Sequence, residues 1–146
     1  MSLNGGFKAF SPEDIQAMNA DRSLIDAWAF DNDRVKLKAD VDGAWDVLQT
    51  VLRGAGFSGG ELVTDALSMG CFIMSPEEVN EQVDALSRFS PSDVETRVDA
   101  LDPTAEIYRL ELYRVNKRSV LDAFDRLVDF YRQAASQGLG AISYIA

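Results

Sequence analysis

The sequence predicts an α+β fold: a single domain over residues 1–146 in which a small mixed β-sheet packs against five to six helices. Segments whose apolar residues recur every three or four positions indicate helices, whereas short apolar or alternating runs between them indicate strands. The length of 146 residues suits one domain, and a hydrophobic content of 47% is enough to form its core.

Three helices are predicted to begin at the same local motif, a serine followed by a proline. The motif occurs at Ser11, Ser75 and Ser90, each time with an acidic residue at the third helical position. The serine can cap free backbone N–H groups, the proline needs no hydrogen bond at the first helical position, and the helix dipole favours the carboxylate. A fourth helix is predicted to begin at Ser119, because Asp122 follows at the spacing of a capping box.

Two of the predicted helices are clearly amphipathic. One covers residues 41–53 and the other residues 119–137, and each has its apolar side chains on one face. Gly54 and Gly138 follow directly, where glycine can adopt the left-handed conformation that ends a helix. A further helix is predicted over residues 76–89.

Strands are predicted at five short segments. Residues 34–38 alternate between charged and apolar side chains, as a half-buried strand does, and residues 71–74 form a continuous apolar run typical of a central strand. The five segments are residues 6–10, 34–38, 71–74, 107–113 and 141–145.

The charge balance restricts the classes of partner. The chain has 24 acidic and 14 basic residues, a formal net charge of −10. Binding to nucleic acid or to an anionic membrane is driven by cationic side chains, so neither partner is expected. Histidine is absent from the sequence, which excludes His-dependent catalysis and imidazole metal ligands. No cofactor or metal is predicted.

Cysteine content and hydropathy predict a cytoplasmic protein. The single cysteine, Cys71, cannot form an intramolecular disulfide, and no apolar run approaches the ~20 residues of a membrane span. Cys71 lies in an apolar segment, so we predict a core residue rather than a nucleophile.

The acidic residues are concentrated in the middle of the chain. Residues 60–106 contain eleven acidic and two basic residues, whereas residues 107–146 contain four acidic and six basic ones. The concentrated negative charge favours encounter with a basic partner. The alternative is that the basic segment neutralises the acidic one within the fold.

Carboxylates surround Trp45 near the start of a predicted helix. Asp42 and Asp46 are four residues apart and therefore on one helical face, and Asp40 precedes them. Such a group could bind a hard cation or act as acid and base. A structural role is the favoured interpretation, because the helix dipole attracts carboxylates at this end and Trp45 lies on the apolar face.

Basic residues gather just before the last predicted helix, at Arg109, Arg114, Lys117 and Arg118. Cations beside free helix N–H groups can attract phosphate or carboxylate, so this cluster is a candidate anion site. The favoured alternative is pairing with the protein's own acidic residues or simple solvation.

Six motifs occur in a characteristic order along nearly the whole chain. They are Gly5-Gly6-Phe7, Ser11-Pro12-Glu13, residues 41–48, Ser75-Pro76-Glu77-Glu78-Val79, Glu106-Ile107-Tyr108 and residues 130–135. This order resembles the YfbM-like family of bacterial domains of unknown function (DUF1877). The resemblance implies a single cytosolic α+β domain and brings no established activity.

The resemblance also suggests candidate binding residues at matching positions. Two departures affect it: the segment before Pro76 lacks the family's Tyr-Gly-Pro-Ala-Arg-Tyr-like pattern, and Arg109 replaces a common proline. Together with the basic cluster, the candidate pocket or binding residues are Asp42, Trp45, Asp46, Glu106, Tyr108, Arg114, Arg118, Tyr131 and Arg132.

Two classes of function are expected from these observations. The first is a non-enzymatic acidic module that binds a basic protein partner, as an immunity protein does when it masks a toxin. The second is a small-ligand-binding protein or enzyme with a cleft of carboxylate, tyrosine and arginine side chains. Convergence of the candidate residues in one pocket would favour the second class.

Overall fold

The computed structural model describes residues 2–146, which form five strands and seven α-helices and confirm the α+β class. The strands are β1 (Gly5–Phe10), β2 (Leu37–Asp40), β3 (Glu61–Val63), β4 (Cys71–Met74) and β5 (Gly140–Ile145). The helices are α1 (Pro12–Ala20), α2 (Leu24–Trp28), α3 (Trp45–Val51), α4 (Pro76–Leu86), α5 (Pro91–Asp99), α6 (Leu110–Val115) and α7 (Lys117–Ser136), with a short 3₁₀ turn at Asp42–Ala44.

The strands form one sheet in the order β2-β1-β5-β4-β3. All its pairings are antiparallel, so the sheet is not mixed as the sequence predicted. β1 and β5 pair along their full length, with Phe7 opposite Ser143. The hydrophobic pattern identifies strands but not their relative direction, which the helical connections on both faces determine.

The sheet is covered on both faces, and each face has its own apolar core. On one face Ile15, Met18 and Ile25 of α1 and α2 pack against Ile73 and Ile142. On the other face α3 to α7 pack around β1 and β5, with Phe7, Phe130 and Tyr131 in contact. No helix within residues 2–146 is long and apolar enough to cross a bilayer.

The three serine–proline helix starts are confirmed. Ser11 caps α1, Ser75 caps α4 and Ser90 caps α5, each accepting a backbone N–H at 3.0–3.2 Å. At the last two starts a carboxylate, from Glu78 or Asp93, accepts the serine's own N–H and completes a capping box. Because both partners of each bond lie within four residues, the sequence alone determines these starts.

The predicted start at Ser119 is wrong. Helix α7 begins two residues earlier, at Lys117, and Ser119 makes no capping bond. The carboxylate of Asp122, expected to complete the box, lies 3.3 Å from Nε of Arg118 instead.

The predicted strand over residues 107–113 is also wrong. This segment contains a turn followed by α6, and Arg109 has a left-handed backbone with φ of 54°. The buried or half-buried Ile107, Leu110 and Tyr113 are spaced by three, which is a helical period. The second predicted strand is displaced: β2 begins at Leu37, because the N–H groups of residues 34 and 35 bond to Asp31 in a turn.

Candidate functional site

Three of the predicted site residues, Trp45, Asp46 and Tyr108, lie together. The rings of Trp45 and Tyr108 stack with centroids 5.7 Å apart and an interplanar angle of 25°. The Asp46 carboxylate accepts the backbone N–H of Tyr108 at 2.8 Å and the Gln49 side-chain N–H at 2.8 Å. Asp46 therefore joins the start of α3 to the turn before α6.

The same aromatic pair holds the chain just before β1. The indole N–H of Trp45 donates to the carbonyl oxygen of Leu3 at 3.0 Å, and the N–H of Leu3 donates to the Tyr108 hydroxyl at 3.0 Å. The polar groups of this cluster are thus used within the protein, and its contacts fasten the strand entrance to two helical segments.

Asp40 and Asp42 interact with a guanidinium group from α7. Arg126 donates through Nε to the backbone oxygen of Asp40 at 2.9 Å, and its Nη2 lies 3.2 Å from Oδ2 of Asp42. Burial, and then the neighbouring Asp42, raise the pKa of the Asp40 carboxyl. The cation beside Asp40 and Asp42 is therefore Arg126. Within residues 2–146, no group of three or more Cys, Asp or Glu side chains is arranged to hold a metal ion.

The other predicted site residues lie apart from this cluster. Glu106 is exposed, and Arg118 pairs with Asp122 along α7. Arg114 lines a separate cavity of about 540 Å³ whose walls include the carboxylates of Asp99 and Glu111. The predicted residues therefore do not converge in one pocket.

Tyr131 and Arg132 are adjacent in sequence but differ in environment. Tyr131 is fully buried, and burial raises the pKa of its phenol, so the hydroxyl remains a donor. It donates to the backbone oxygen of Gly56 at 2.6 Å. Arg132 is exposed at the edge of a cavity of about 280 Å³ between α7 and the start of α5.

A cationic cleft lies elsewhere, at a site that the sequence did not predict. We define the arginine cleft by Arg53, Arg88 and Arg97, which come from the ends of α3, α4 and α5 and line a cavity of about 520 Å³. The other lining residues are Leu52, Gly54, Ala55, Ser58, Gln82, Ala85 and Phe89. None of the lining residues is acidic, although the chain has 24 carboxylate side chains.

The three arginines of the cleft form no ion pair within residues 2–146, although the pKa of the Asp93 carboxyl, lowered mainly by its hydrogen bonds with Ser90, is lowered further by Arg97. The ion pairs of this part of the chain involve other cations: Arg22, Arg34, Lys117, Arg118 and Arg126. The Arg97 guanidinium lies 5.2 Å from the centroid of the Phe89 ring, a cation–π contact that leaves its charge available. Arg88 and Arg97 are also the two basic residues of the acidic segment 60–106.

Each arginine has a local reason for its position, because cations are stabilised near helix C-termini. Arg53 lies two residues beyond the end of α3 in a left-handed conformation with φ of 54°, Arg88 lies two residues beyond the end of α4, and Arg97 is in the last turn of α5. The helix dipoles explain why each position favours a cation. They do not explain why three such cations face the same cleft with no carboxylate among them.

The wall formed by residues 53–60, the cleft loop, is fixed from two sides at Gly56. The Gln82 side-chain oxygen accepts the N–H of Gly56 at 2.7 Å, and the Tyr131 hydroxyl donates to its carbonyl oxygen. The Gln82 amide nitrogen remains as a free donor beside the cleft. The cleft therefore presents guanidinium and amide N–H groups from a held backbone, an arrangement suited to an anion.

The fold and the cleft define an acidic α+β domain with helices on both faces of an antiparallel sheet and a cationic cleft on one helical layer. A family described as a domain of unknown function (DUF1877) matches residues 1–144, and the chain belongs to this family. This confirms the YfbM-like family expected from the motifs.

A solved structure supports the assignment of the fold. The crystal structure of YfbM from Escherichia coli, a protein of unknown function, is similar with a TM-score of 0.63 at 18% identity, over 100% of both chains. At this identity the likeness shows the fold alone. Comparison with curated proteins gave no match.

Proposed function

We propose that this protein is a cytoplasmic, non-enzymatic binding protein for a small organic anion, which it holds in the arginine cleft. The observation that supports this most directly is the set of three unpaired guanidinium groups in a lining without carboxylates. Arginine remains charged at any physiological pH and binds phosphate or carboxylate through paired N–H donors. An anion would supply the ion-pair partner that the cleft lining lacks.

The overall charge favours a small ligand over an anionic macromolecule. A nucleic acid or membrane would contact a wide surface of a protein whose net charge is −10 and would be repelled by it. A small anion needs only the cleft, whose lining is positive. The volume of about 520 Å³ is within the range of small-molecule sites.

The cleft favours binding rather than catalysis. Its lining contains no carboxylate, cysteine or tyrosine, and the chain contains no histidine. The hydroxyl in the cleft, that of Ser58, donates to the backbone oxygen of Gly54 at 3.3 Å and has no base in the lining to activate it. Metal-free hydrolysis by acid–base or nucleophilic catalysis uses a side chain that activates water or itself attacks the substrate, and the lining offers no carboxylate, histidine, cysteine or tyrosine for either role.

The test is isothermal titration of inorganic phosphate and of benzoate into the wild type and an Arg53→Gln/Arg88→Gln/Arg97→Gln variant. Binding of either anion is expected, with at least about tenfold loss in the variant because charged hydrogen bonds are removed. The matched control is the triple variant Arg118→Gln/Arg126→Gln/Arg132→Gln. It removes the same charge from exposed arginines outside the cleft. Absence of binding for both anions, or equal loss in the control, would contradict the proposal.

A second candidate function, docking of a basic protein such as a toxin to be masked, is supported by the ion-pair pattern. A single ion pair, Lys117 to Asp99 at 2.6 Å, joins the basic segment to the acidic one within residues 2–146. The exposed carboxylates of α4, at Glu77, Glu81 and Asp84, form one stripe and have no ion-pair partner there. The acidic segment therefore keeps most of its charge for an external partner.

Docking would be tested by purifying this protein from its native host at low and high salt. One basic protein should co-purify with the wild type in an equimolar amount. The triple variant Glu77→Gln/Glu81→Gln/Asp84→Gln should lose that partner. Replacing Asp122, Asp125 and Asp129 of α7 by asparagine provides the charge-matched control. Retention by the α4 variant, or no stoichiometric basic partner, would contradict docking.

A further inference from the structure

We propose that the ligand of the arginine cleft is a phosphate monoester with a compact apolar or planar organic group. This inference rests on the proposed function and specifies the class of anion. Its two parts correspond to two sets of lining residues, which interleave in the cleft: the arginines, which we call the cationic wall, and Leu52, Ala55, Ala85 and Phe89, which we call the apolar wall.

The cationic wall fits a dianion better than a monoanion. Three guanidinium groups from three different helix ends provide more N–H donors than the two oxygens of one carboxylate can accept. A phosphate monoester has three terminal oxygens and a charge near −2 at neutral pH. The free amide N–H groups of Gln82, whose oxygen is bound to Gly56, supply a further neutral donor.

The apolar wall determines the rest of the ligand. The Phe89 ring is half-buried, and the Arg97 guanidinium lies over it at 5.2 Å from the ring centroid. Because guanidinium planes stack on planar groups, this stacked pair favours a ligand with a planar body. The alanine and leucine side chains offer no hydrogen bonds. The lining also has no carboxylate that could accept from a ligand ammonium group, which disfavours amino acids and polyamines.

The cleft lining has few hydrogen-bond acceptors, and this favours a ligand without hydroxyl groups over a sugar phosphate. A sugar presents several hydroxyl donors that need acceptors on burial. The side-chain acceptors of the lining are two: the Gln82 oxygen, which already accepts from Gly56, and the Ser58 hydroxyl, which donates to Gly54 and can still accept from a ligand. A ligand body without hydroxyl groups therefore leaves fewer polar groups unpaired.

The experiment compares four probes by isothermal titration: phenyl phosphate, inorganic phosphate, benzoate and glucose 6-phosphate. Phenyl phosphate is expected to bind at least tenfold more tightly than each of the others. Binding of benzoate or glucose 6-phosphate equal to or tighter than that of phenyl phosphate would overturn the ligand class while leaving anion binding in place. If none of the four probes binds, the proposed function itself fails.

Variants in the cleft lining, with one control outside it, test the separate contributions of the two walls. Phe89→Leu is expected to weaken phenyl phosphate at least fivefold and inorganic phosphate less than twofold. Phe30→Leu, at an aromatic residue that is 63% exposed and outside the cleft, should change neither. Equal weakening of both probes by Phe89→Leu would mean that Phe89 acts through the arginines, and the apolar part of the inference would be wrong. Arg88→Gln and Arg97→Gln should weaken both probes together.

Discussion

The hydroxyl of Tyr131 on α7 donates to the carbonyl oxygen of Gly56 at 2.6 Å, and this bond connects the buried core to the cleft loop. Gly56 is also held through its N–H by Gln82 of α4. A residue that the sequence marked as a candidate binding residue is therefore a positioning residue: it does not line the arginine cleft but fixes the loop that does.

Replacing Tyr131 by phenylalanine should destabilise the fold and loosen the cleft loop. The Gly56 carbonyl would lose a buried donor, and leaving such a group unsatisfied costs about 1–3 kcal/mol. We expect that decrease in the free energy of unfolding, measured by urea denaturation, and weaker anion binding. Tyr108→Phe is the control: its half-exposed hydroxyl accepts from Leu3, and water can replace it, so the loss should be under ~1 kcal/mol. An unchanged stability for Tyr131→Phe would contradict the role of this bond.

Replacing Gln82 by glutamate should remove anion binding while preserving the loop. The new carboxylate still accepts the N–H of Gly56, but it adds a negative charge beside three guanidinium groups and removes the free amide donor. The titrations above should show binding lost in Gln82→Glu and retained in Asn80→Asp, which adds the same charge on an exposed position of α4. Equal binding by Gln82→Glu and wild type would place the ligand elsewhere.

Gly60 should tolerate substitution far less than Gly138, although both have left-handed backbones. At Gly60, with φ of 81°, a Cβ atom would lie 2.2 Å from the backbone oxygen of Ile73, whereas at Gly138 it would meet nothing within 4 Å. Gly138→Ala is expected to lose about 1–2 kcal/mol from the left-handed conformation alone. Gly60→Ala is expected to lose about 2–5 kcal/mol, because a steric clash is added. Urea denaturation giving equal losses would be inconsistent with this packing.

Cys71 should be unreactive in the folded protein. The residue is 2% exposed, and burial raises the pKa of its thiol to about 11 from 9.0. Reaction with a disulfide reagent at pH 8 should be at least about 100-fold slower in the native state than in denaturant. Because the folded pKa is the higher one, the associated stability is complete below about pH 9 and is lost as the pH rises through about 11. Rapid labelling of the native protein would contradict core burial.

Much of the fold follows from short-range signals in the sequence. The serine–proline starts are correct because each cap, proline and carboxylate lies within one helical turn. Strands β1, β4 and β5 were recognised by their apolar runs. Strand β3 was missed because it has three residues, of which one, Val63, is buried. The prediction for residues 107–113 is wrong because the segment is rich in apolar residues, as a strand is, whereas the spacing of three between Ile107, Leu110 and Tyr113 is helical.

The arginine cleft could not be predicted from local patterns. Arg53, Arg88 and Arg97 are up to 44 positions apart in the sequence, and only the packing of three helix ends brings them together. One signal was present: two of the three are the basic residues of a segment otherwise rich in acids. That signal identifies unusual cations but not their common cavity, which requires the tertiary structure.

The measurement that tests the central claim most directly is a titration of phenyl phosphate followed by NMR of the arginine Nε–Hε groups. The signals of Arg53, Arg88 and Arg97 should shift together and saturate with one dissociation constant, while those of Arg118 and Arg132 remain unchanged. Unchanged signals for the three cleft arginines, or equal shifts for all arginines of the protein, would contradict an anion site in the arginine cleft.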